Sequence, residues 1–256
     1  MNLTGEVLRG ILLPFLGTTL GALSVLVLHR GLGARLERSI SGFAAGVMVA
    51  ASIWSLLEPA MAQSGYLGRW AFVPATAGFW TGILFLLLLE ELVPQWSPEA
   101  GLNAGWREKL MTALAVTLHN VPEGMAVGVV YAALFRGAPG MTALGALALS
   151  MGIAIQNVPE GAIISLPLHA GGMGKGRALL WGVLSGAVEP VAAVLTVLCA
   201  AWVAPALPCL LSFAAGAMFF VVVEELLPAL SDSDHAPTLA FALGFTLMMS
   251  LDVAFG

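Results

Sequence analysis

Two short segments of this chain carry residues able to do chemistry. The first is Leu118-His119-Asn120-Val121-Pro122-Glu123-Gly124 and the second is Ile155-Gln156-Asn157-Val158-Pro159-Glu160-Gly161, offset by 37 residues. Five consecutive residues, Asn-Val-Pro-Glu-Gly, are identical, and a polar residue precedes them in both copies. On a helix, positions three and four apart share a face. His119 and Glu123 are four apart, Asn120 and Glu123 three apart, and Gln156, Asn157 and Glu160 repeat the pattern. Two such faces turned toward each other form a pocket of imidazole, amides and carboxylates. A third carboxylate, Glu189, again stands beside a proline, Pro190, in a stretch otherwise nearly free of charge. One imidazole with carboxylate and amide oxygens suits zinc, iron(II), manganese and similar ions. The water-rich octahedral preference of magnesium fits a histidine-bearing site less well.

The elements that hold these residues are membrane helices. Of 256 residues, 59% are apolar and only 10% are charged, 10 basic against 15 acidic. The mean hydropathy is +0.94. A soluble domain carries about 25% charged residues, so a water-soluble globule is excluded. A net charge of −5 with scattered basic residues leaves no footprint for nucleic acid. A membrane helix needs about 20 apolar residues. Eight segments qualify, at approximately 6–28, 40–62, 70–94, 109–135, 140–167, 177–201, 206–229 and 236–255, and together they make one polytopic transmembrane domain over 1–256. If the N-terminus is outside, the inner loops hold Arg30, Arg35, Arg38, Arg107, Lys109, Lys175 and Arg177, and the outer side only Arg9, Arg69 and Arg136. That bias places both termini outside. Cys199 and Cys209 form no zinc spacing and are expected to be buried free thiols.

At membrane depth the glutamates need compensation. Each ionised residue at a helix centre costs at least about 2.5–3.5 kcal/mol, so Glu123, Glu160 and Glu189 together cost roughly 7–10 kcal/mol. Protonation is one remedy and metal coordination is the other. Two divalent ions against three carboxylates leave the pocket near neutral, and one leaves it at −1. Pro122 and Pro159 are expected to kink their helices and release carbonyls from the preceding turn, which in lipid need another partner.

A second repeat joins distant parts of the chain. Phe43-Ala44-Ala45-Gly46-Val47-Met48 returns as Phe213-Ala214-Ala215-Gly216-Ala217-Met218, and each copy leads to an acidic, proline-terminated end. In the topology above these copies run in opposite directions, as do spans four and five. Opposed repeats point to an inverted-repeat transporter with a midplane site. Small-residue helix packing explains the Phe-Ala-Ala-Gly segments equally well.

The paired motif in an eight-span chain resembles the ZIP (Zrt-, Irt-like) family of divalent metal transporters, and within it the prokaryotic GufA-like and ZupT-like members. The resemblance implies an all-α fold of eight helices in a 3+2+3 inverted repeat, with both termini outside. It implies transport of Zn²⁺, Fe²⁺, Mn²⁺ and Cd²⁺ into the cytoplasm with no organic cofactor, and a binuclear centre in some members. One metal position would lie near His119, Gln156 and Glu160, and a second near Asn120, Glu123, Asn157, Glu160 and Glu189, with Glu160 as the bridge. Met48 matches a place where some members put a thioether, and Ser55 would line the same entrance. The resemblance implies that spans one, four, five and six move as a unit against two, three, seven and eight. The chain departs from many members in having no histidine in residues 95–108. The expected location is the plasma membrane of a bacterium. The expected partners are lipid and the metal, with a homodimer as a candidate assembly.

Other polar residues suit a transport path. Glu90, Glu91, Glu224 and Glu225 stand near inner helix ends, where they would serve metal exit or simply reach the headgroups. His29, His169 and His235 fall at inner ends too, and His169 is the best candidate for a release ligand. Glu58 reads as interfacial, and Asp252 in the last span fits either role. Two other functions compete with the transporter. One is an intramembrane metal-dependent hydrolase, which would usually have more imidazole than this chain offers. The other is a proton-coupled organic carrier using the three glutamates.

Overall fold

A computed structural model describes residues 3–28, 33–92, 104–138, 140–202, 206–228 and 234–255. Among them there is helix and no strand. Ten α-helices follow in order: α1 (Leu3–Val27), α2 (Ala34–Ala51), α3 (Glu58–Gln63), α4 (Phe72–Leu92), α5 (Ala104–Phe135), α6 (Ala143–Ala170), α7 (Lys175–Gly186), α8 (Val188–Trp202), α9 (Leu207–Val221) and α10 (Ala236–Phe255). A π-helical turn, Ser52–Leu57, joins α2 to α3, and another, Val222–Leu226, extends α9.

Seven stretches among the described residues are long and apolar enough to cross a membrane: Val7–Val27, Ala34–Gln63, Phe72–Leu89, Ala143–Ala170, Lys175–Cys199, Leu207–Glu224 and Ala236–Phe255. The helix expected as span four, α5, is 32 residues long. Its described apolar stretch, Asn120–Phe135, is shorter than the others. Outward-facing leucines and aromatics, among them Leu84, Phe85, Leu88, Leu195, Leu198 and Leu243, cover these helices. Such a surface is far larger than the apolar patches that soluble monomers expose, and it defines an integral membrane protein.

Local chemistry sets the helix ends. The Thr142 hydroxyl accepts from the Gly145 backbone N–H at 2.9 Å and caps α6. At the other end Gly172 turns to a φ of +100°, which spares a side chain the left-handed region and lets the Met173 N–H close on the Leu168 carbonyl. The expected sixth span is two helices, parted at Ala187. Pro190 is the cause, because its ring displaces the carbonyl four residues back, at Gly186. By contrast α5 and α6 run through Pro122 and Pro159 without ending, and of these three prolines beside a carboxylate only Pro190, next to Glu189, accompanies a break. Cys199 is exposed on α8 and not buried as expected, because it sits on the outward face with Leu195 and Leu198; Cys209 is half-buried, and both thiols are free.

The packing repeats itself. The most extensive pairings are α1 with α6, α2 with α10, α4 with α9 and α5 with α8. Exchanging α2 with α9, α4 with α10, α1 with α7–α8 and α5 with α6 maps this set onto itself. The glycines show the same exchange atom by atom. Gly46 abuts the Phe241 carbonyl as Gly216 abuts that of Phe79, and Gly244 abuts the Phe43 carbonyl as Gly82 abuts that of Phe213. Missing side chains let these backbones touch. A core of Ala44, Ala45, Val47, Met48, Leu149, Ile153, Leu211, Ala214, Ala215, Met218 and Met248 lies where α2, α6, α9 and α10 meet.

Candidate metal centre

The two Asn-Val-Pro-Glu-Gly copies meet inside the bundle. Asn120, Glu123, Gln156 and Asn157 are fully buried, Glu189 is 1% exposed and Glu160 is 9% exposed. The Gln156 amide donates to Glu123 Oε1 at 2.6 Å and ties α6 to α5. Glu189 stands in the first turn of α8, just past the break. The Asn120 amide donates at 3.0 Å to the Ser185 carbonyl in the last turn of α7. The break thus presents both a carboxylate and backbone oxygen to the motif, and Asn120 satisfies part of the latter.

Helix α1 closes the site. Thr18, fully buried, donates its hydroxyl to Glu189 Oε1 at 2.8 Å. The Asn157 amide donates to the Pro14 carbonyl at 3.5 Å. Glu123, Glu160 and Glu189 interact electrostatically with one another, and the Asn157 side chain faces the carboxyls of both Glu123 and Glu189. Close backbone approach makes this geometry reachable. A Cβ on Gly124 would run into the Glu189 backbone, and one on Gly161 into that of Thr18.

Hydrogen bonding at this centre is one-sided. Asn120 Oδ1, Glu123 Oε2, Gln156 Oε1, Asn157 Oδ1 and Glu189 Oε2 are all buried with no hydrogen-bond partner among the described residues. All five are acceptor oxygens. An unpaired buried polar atom costs on the order of 1–3 kcal/mol, more when charged, so five together call for a partner. A bound cation, a trapped water or a proton on a carboxylate would each supply one. Each amide that donates turns its nitrogen to protein oxygen and leaves its own oxygen over. Among the described residues no three His, Cys, Asp or Glu side chains are grouped closely enough to hold an ion by themselves.

The remaining expected positions fall in several places. The His119 side chain lies outside the described set, as do those of Glu90 and Glu225; His29 and residues 95–103 lie outside it entirely. Met48 is fully buried in the apolar core, and its carbonyl accepts the Ser52 hydroxyl at 2.8 Å. Ser55, buried in the π-helical turn, donates to Asp252 Oδ1 at 2.5 Å. These two, with Glu58, Trp54, Thr142 and Met141, line a cavity of about 390 Å³. Glu91 and Glu224 are exposed. His169, half-buried at the end of α6, donates from Nδ1 to the Met173 carbonyl at 2.8 Å.

Sequence reasoning left Asp252 ambiguous and passed over Thr18. An acid in an apolar last span is a signal in itself, and the paired serine completes it. Nothing in the local sequence marks Thr18, because a threonine on an apolar helix ordinarily bonds the carbonyl four residues back.

A bundle of membrane helices with a buried, acceptor-rich centre where two like motifs meet is the architecture of an ion-handling membrane protein. Residues 101–252 match the family model described as "ZIP Zinc transporter". The chain is 33% identical over 327 residues to zinc transporter ZIP11 of Xenopus tropicalis, covering 97% of each chain. It is 39% identical over 255 residues to zinc transporter ZIPB of Bordetella bronchiseptica, covering 94% of this chain and 79% of that one. It is 35% identical over 261 residues to zinc transporter GufA of Myxococcus xanthus, covering 98% and 100%. The chain belongs to the ZIP family, with the prokaryotic-like members.

Proposed function

We propose that this protein carries divalent metal cations, Zn²⁺ foremost and Fe²⁺, Mn²⁺ and Cd²⁺ besides, across the plasma membrane of a bacterium into the cytoplasm, and that it performs no enzymatic step. The observation that carries this reading is the set of five buried acceptor oxygens on Asn120, Glu123, Gln156, Asn157 and Glu189. A cation there would satisfy all of them and offset the burial of three carboxylates. His119, Gln156 and Glu160 would hold one ion. Asn120, Glu123, Asn157, Glu160 and Glu189 would hold a second, with Glu160 between them. Mixed nitrogen and oxygen ligands discriminate poorly among first-row ions, so the range of substrates is broad.

The path follows from the outlying residues. With both termini outside, the cavity of Ser55, Glu58 and Asp252 is the outer vestibule. A hydrated cation would lose water there before passing Met48 to the centre. Glu90, Glu91, Glu224, Glu225 and His169 would receive it on the inner side. With Nδ1 committed to the Met173 carbonyl, His169 keeps Nε2 as its ligating atom.

The test is Zn²⁺ uptake into liposomes holding the purified protein, with Mn²⁺, Fe²⁺ and Cd²⁺ as competitors, beside Glu160→Ala. The expected result is saturable uptake that the other ions inhibit and that collapses in Glu160→Ala. Absence of uptake by the wild-type protein, with tight metal binding retained, would overturn transport in favour of a metal-dependent hydrolase or a sensor.

A further inference from the structure

We infer that Thr18 of α1 is a positioning residue of the metal centre, holding one oxygen of the Glu189 carboxylate so that the other faces the cation. The inference rests on the metal-transport reading above and adds to it a residue outside both repeated motifs.

The Thr18 hydroxyl has one proton and two acceptors in range. Glu189 Oε1 is at 2.8 Å and the Pro14 carbonyl, four residues back, at 3.4 Å. The shorter, charge-assisted bond is the stronger, so the proton goes to the carboxylate. Thr18 is fully buried, away from bulk solvent. Its place is fixed on two sides by glycines. Gly161 on α6 abuts the Thr18 carbonyl, and a Cβ on Gly186 of α7 would come within 2.7 Å of Thr18 Cβ. Threonine has little room to turn its hydroxyl elsewhere.

The resulting pattern matches that of Glu123. Among the described residues, Glu123 accepts Gln156 on Oε1 and keeps Oε2 unpartnered, and Glu189 accepts Thr18 on Oε1 and keeps Oε2 unpartnered. Each of these two carboxylates is thus pinned by one protein donor and leaves one oxygen for metal, the outer-shell arrangement that orients metal ligands. The internal repeat reinforces the point. Gly124 meets the Glu189 carbonyl as its repeat partner Gly161 meets the Thr18 carbonyl, so Thr18 occupies on α1 the place that Glu189 occupies on α8. The exchange brings the two equivalent positions face to face at the centre, one a carboxylate and the other a hydroxyl that orients it.

The experiment compares wild type, Thr18→Val and Thr18→Ser in Zn²⁺ uptake by proteoliposomes and in Cd²⁺ binding to the purified protein, with both valine and wild-type residue 18 repeated in a Glu189→Ala background, which has no acceptor for the hydroxyl. A hydrogen bond to a charged group is worth roughly tenfold or more in an equilibrium constant. Thr18→Val is expected to weaken half-saturation and Cd²⁺ binding about tenfold, and Thr18→Ser to restore both to within about threefold. In Glu189→Ala the valine should change Cd²⁺ binding no further, since the accepting side chain is gone. The inference is overturned if Thr18→Val binds and transports like wild type. It is equally overturned if Thr18→Ser is as impaired as valine, or if the valine effect persists in full on Glu189→Ala, since either marks a packing role. Silence of the wild type in uptake overturns the transport reading, while the Cd²⁺ measurements still decide on Thr18.

Discussion

Replacing Gln156 separates the hydrogen-bonding role of the centre from its packing. The Gln156 amide gives its nitrogen to Glu123 at 2.6 Å inside a fully buried pair, and its own Oε1 has no partner among the described residues. The carboxylate can only accept, so the amide orientation is fixed by chemistry. Gln156→Leu keeps the bulk and removes both functions. Loss of one donor to a charged group costs about 1.5–3 kcal/mol, or one to two orders of magnitude in affinity at about 1.4 kcal/mol per decade. Loss of the amide oxygen as a ligand adds to this. Gln156→His restores a ring nitrogen able to donate to Glu123 and a second able to bind metal, so it should recover most of the affinity. The assay is metal binding to the purified protein by titration calorimetry, beside saturation of uptake in liposomes. A Gln156→Leu protein within twofold of wild type in both would refute the reasoning, because the bond and the unpaired oxygen would then contribute nothing to cation binding.

Three further outcomes are expected. Gly161→Ala should push α1 off α6 and separate Thr18 from Glu189, lowering the thermal midpoint by an overpacking penalty of about 1–3 kcal/mol and reducing uptake strongly while far-UV circular dichroism stays helical. Asp252→Asn and Ser55→Ala, at the proposed vestibule, should raise the half-saturating Zn²⁺ concentration several-fold yet leave equilibrium binding at the centre unchanged, since neither residue touches it. The Asp234 carboxyl is held below its ordinary value of 3.8, chiefly by the Ala236 backbone N–H and then by Arg35 at 2.7 Å. Being depressed in the folded protein, it contributes stability at pH above 3.8 that is lost as the pH falls through its lower folded value. Asp234→Asn should therefore flatten that acid limb of thermal stability, and an unchanged limb would refute the assignment.

The paired motif was legible because nothing in apolar packing calls for asparagine, proline and glutamate together at membrane depth. Helical spacing then put Asn120 with Glu123 and Gln156 with Asn157 and Glu160 without any structure. Glu189 was legible for the same reason, one acid in an apolar run. What the sequence hid was which proline would act. Pro122, Pro159 and Pro190 look alike in composition. Yet α5 and α6 continue through theirs while the chain parts at Ala187, where Asn120 reaches across to the Ser185 carbonyl. Neighbours decide whether freed backbone groups are satisfied in place or the helix ends, and neighbours are not written locally. Thr18 was hidden for the same reason. Its meaning lies wholly in a residue 171 positions away.

The Phe-Ala-Ala-Gly repeat allowed two readings, small-residue packing and internal symmetry, and the structure joins them. Gly46 and Gly216 are packing glycines, each pressed on the backbone of a neighbouring helix, and the helices they press on, α10 and α4, are themselves exchange partners. Both copies then open into a π-helical turn, Ser52–Leu57 and Val222–Leu226, at the same distance from the glycine. A π turn inserts a residue and re-aims the side chains beyond it. In one copy that turns Ser55 toward Asp252 and the vestibule; in the other the turn holds Glu224 and Glu225. The same backbone device thus places polar residues along the second half of each copy. A scaffold doubled by packing can afford different chemistry at its equivalent points, and Thr18 against Glu189 is the case at its centre.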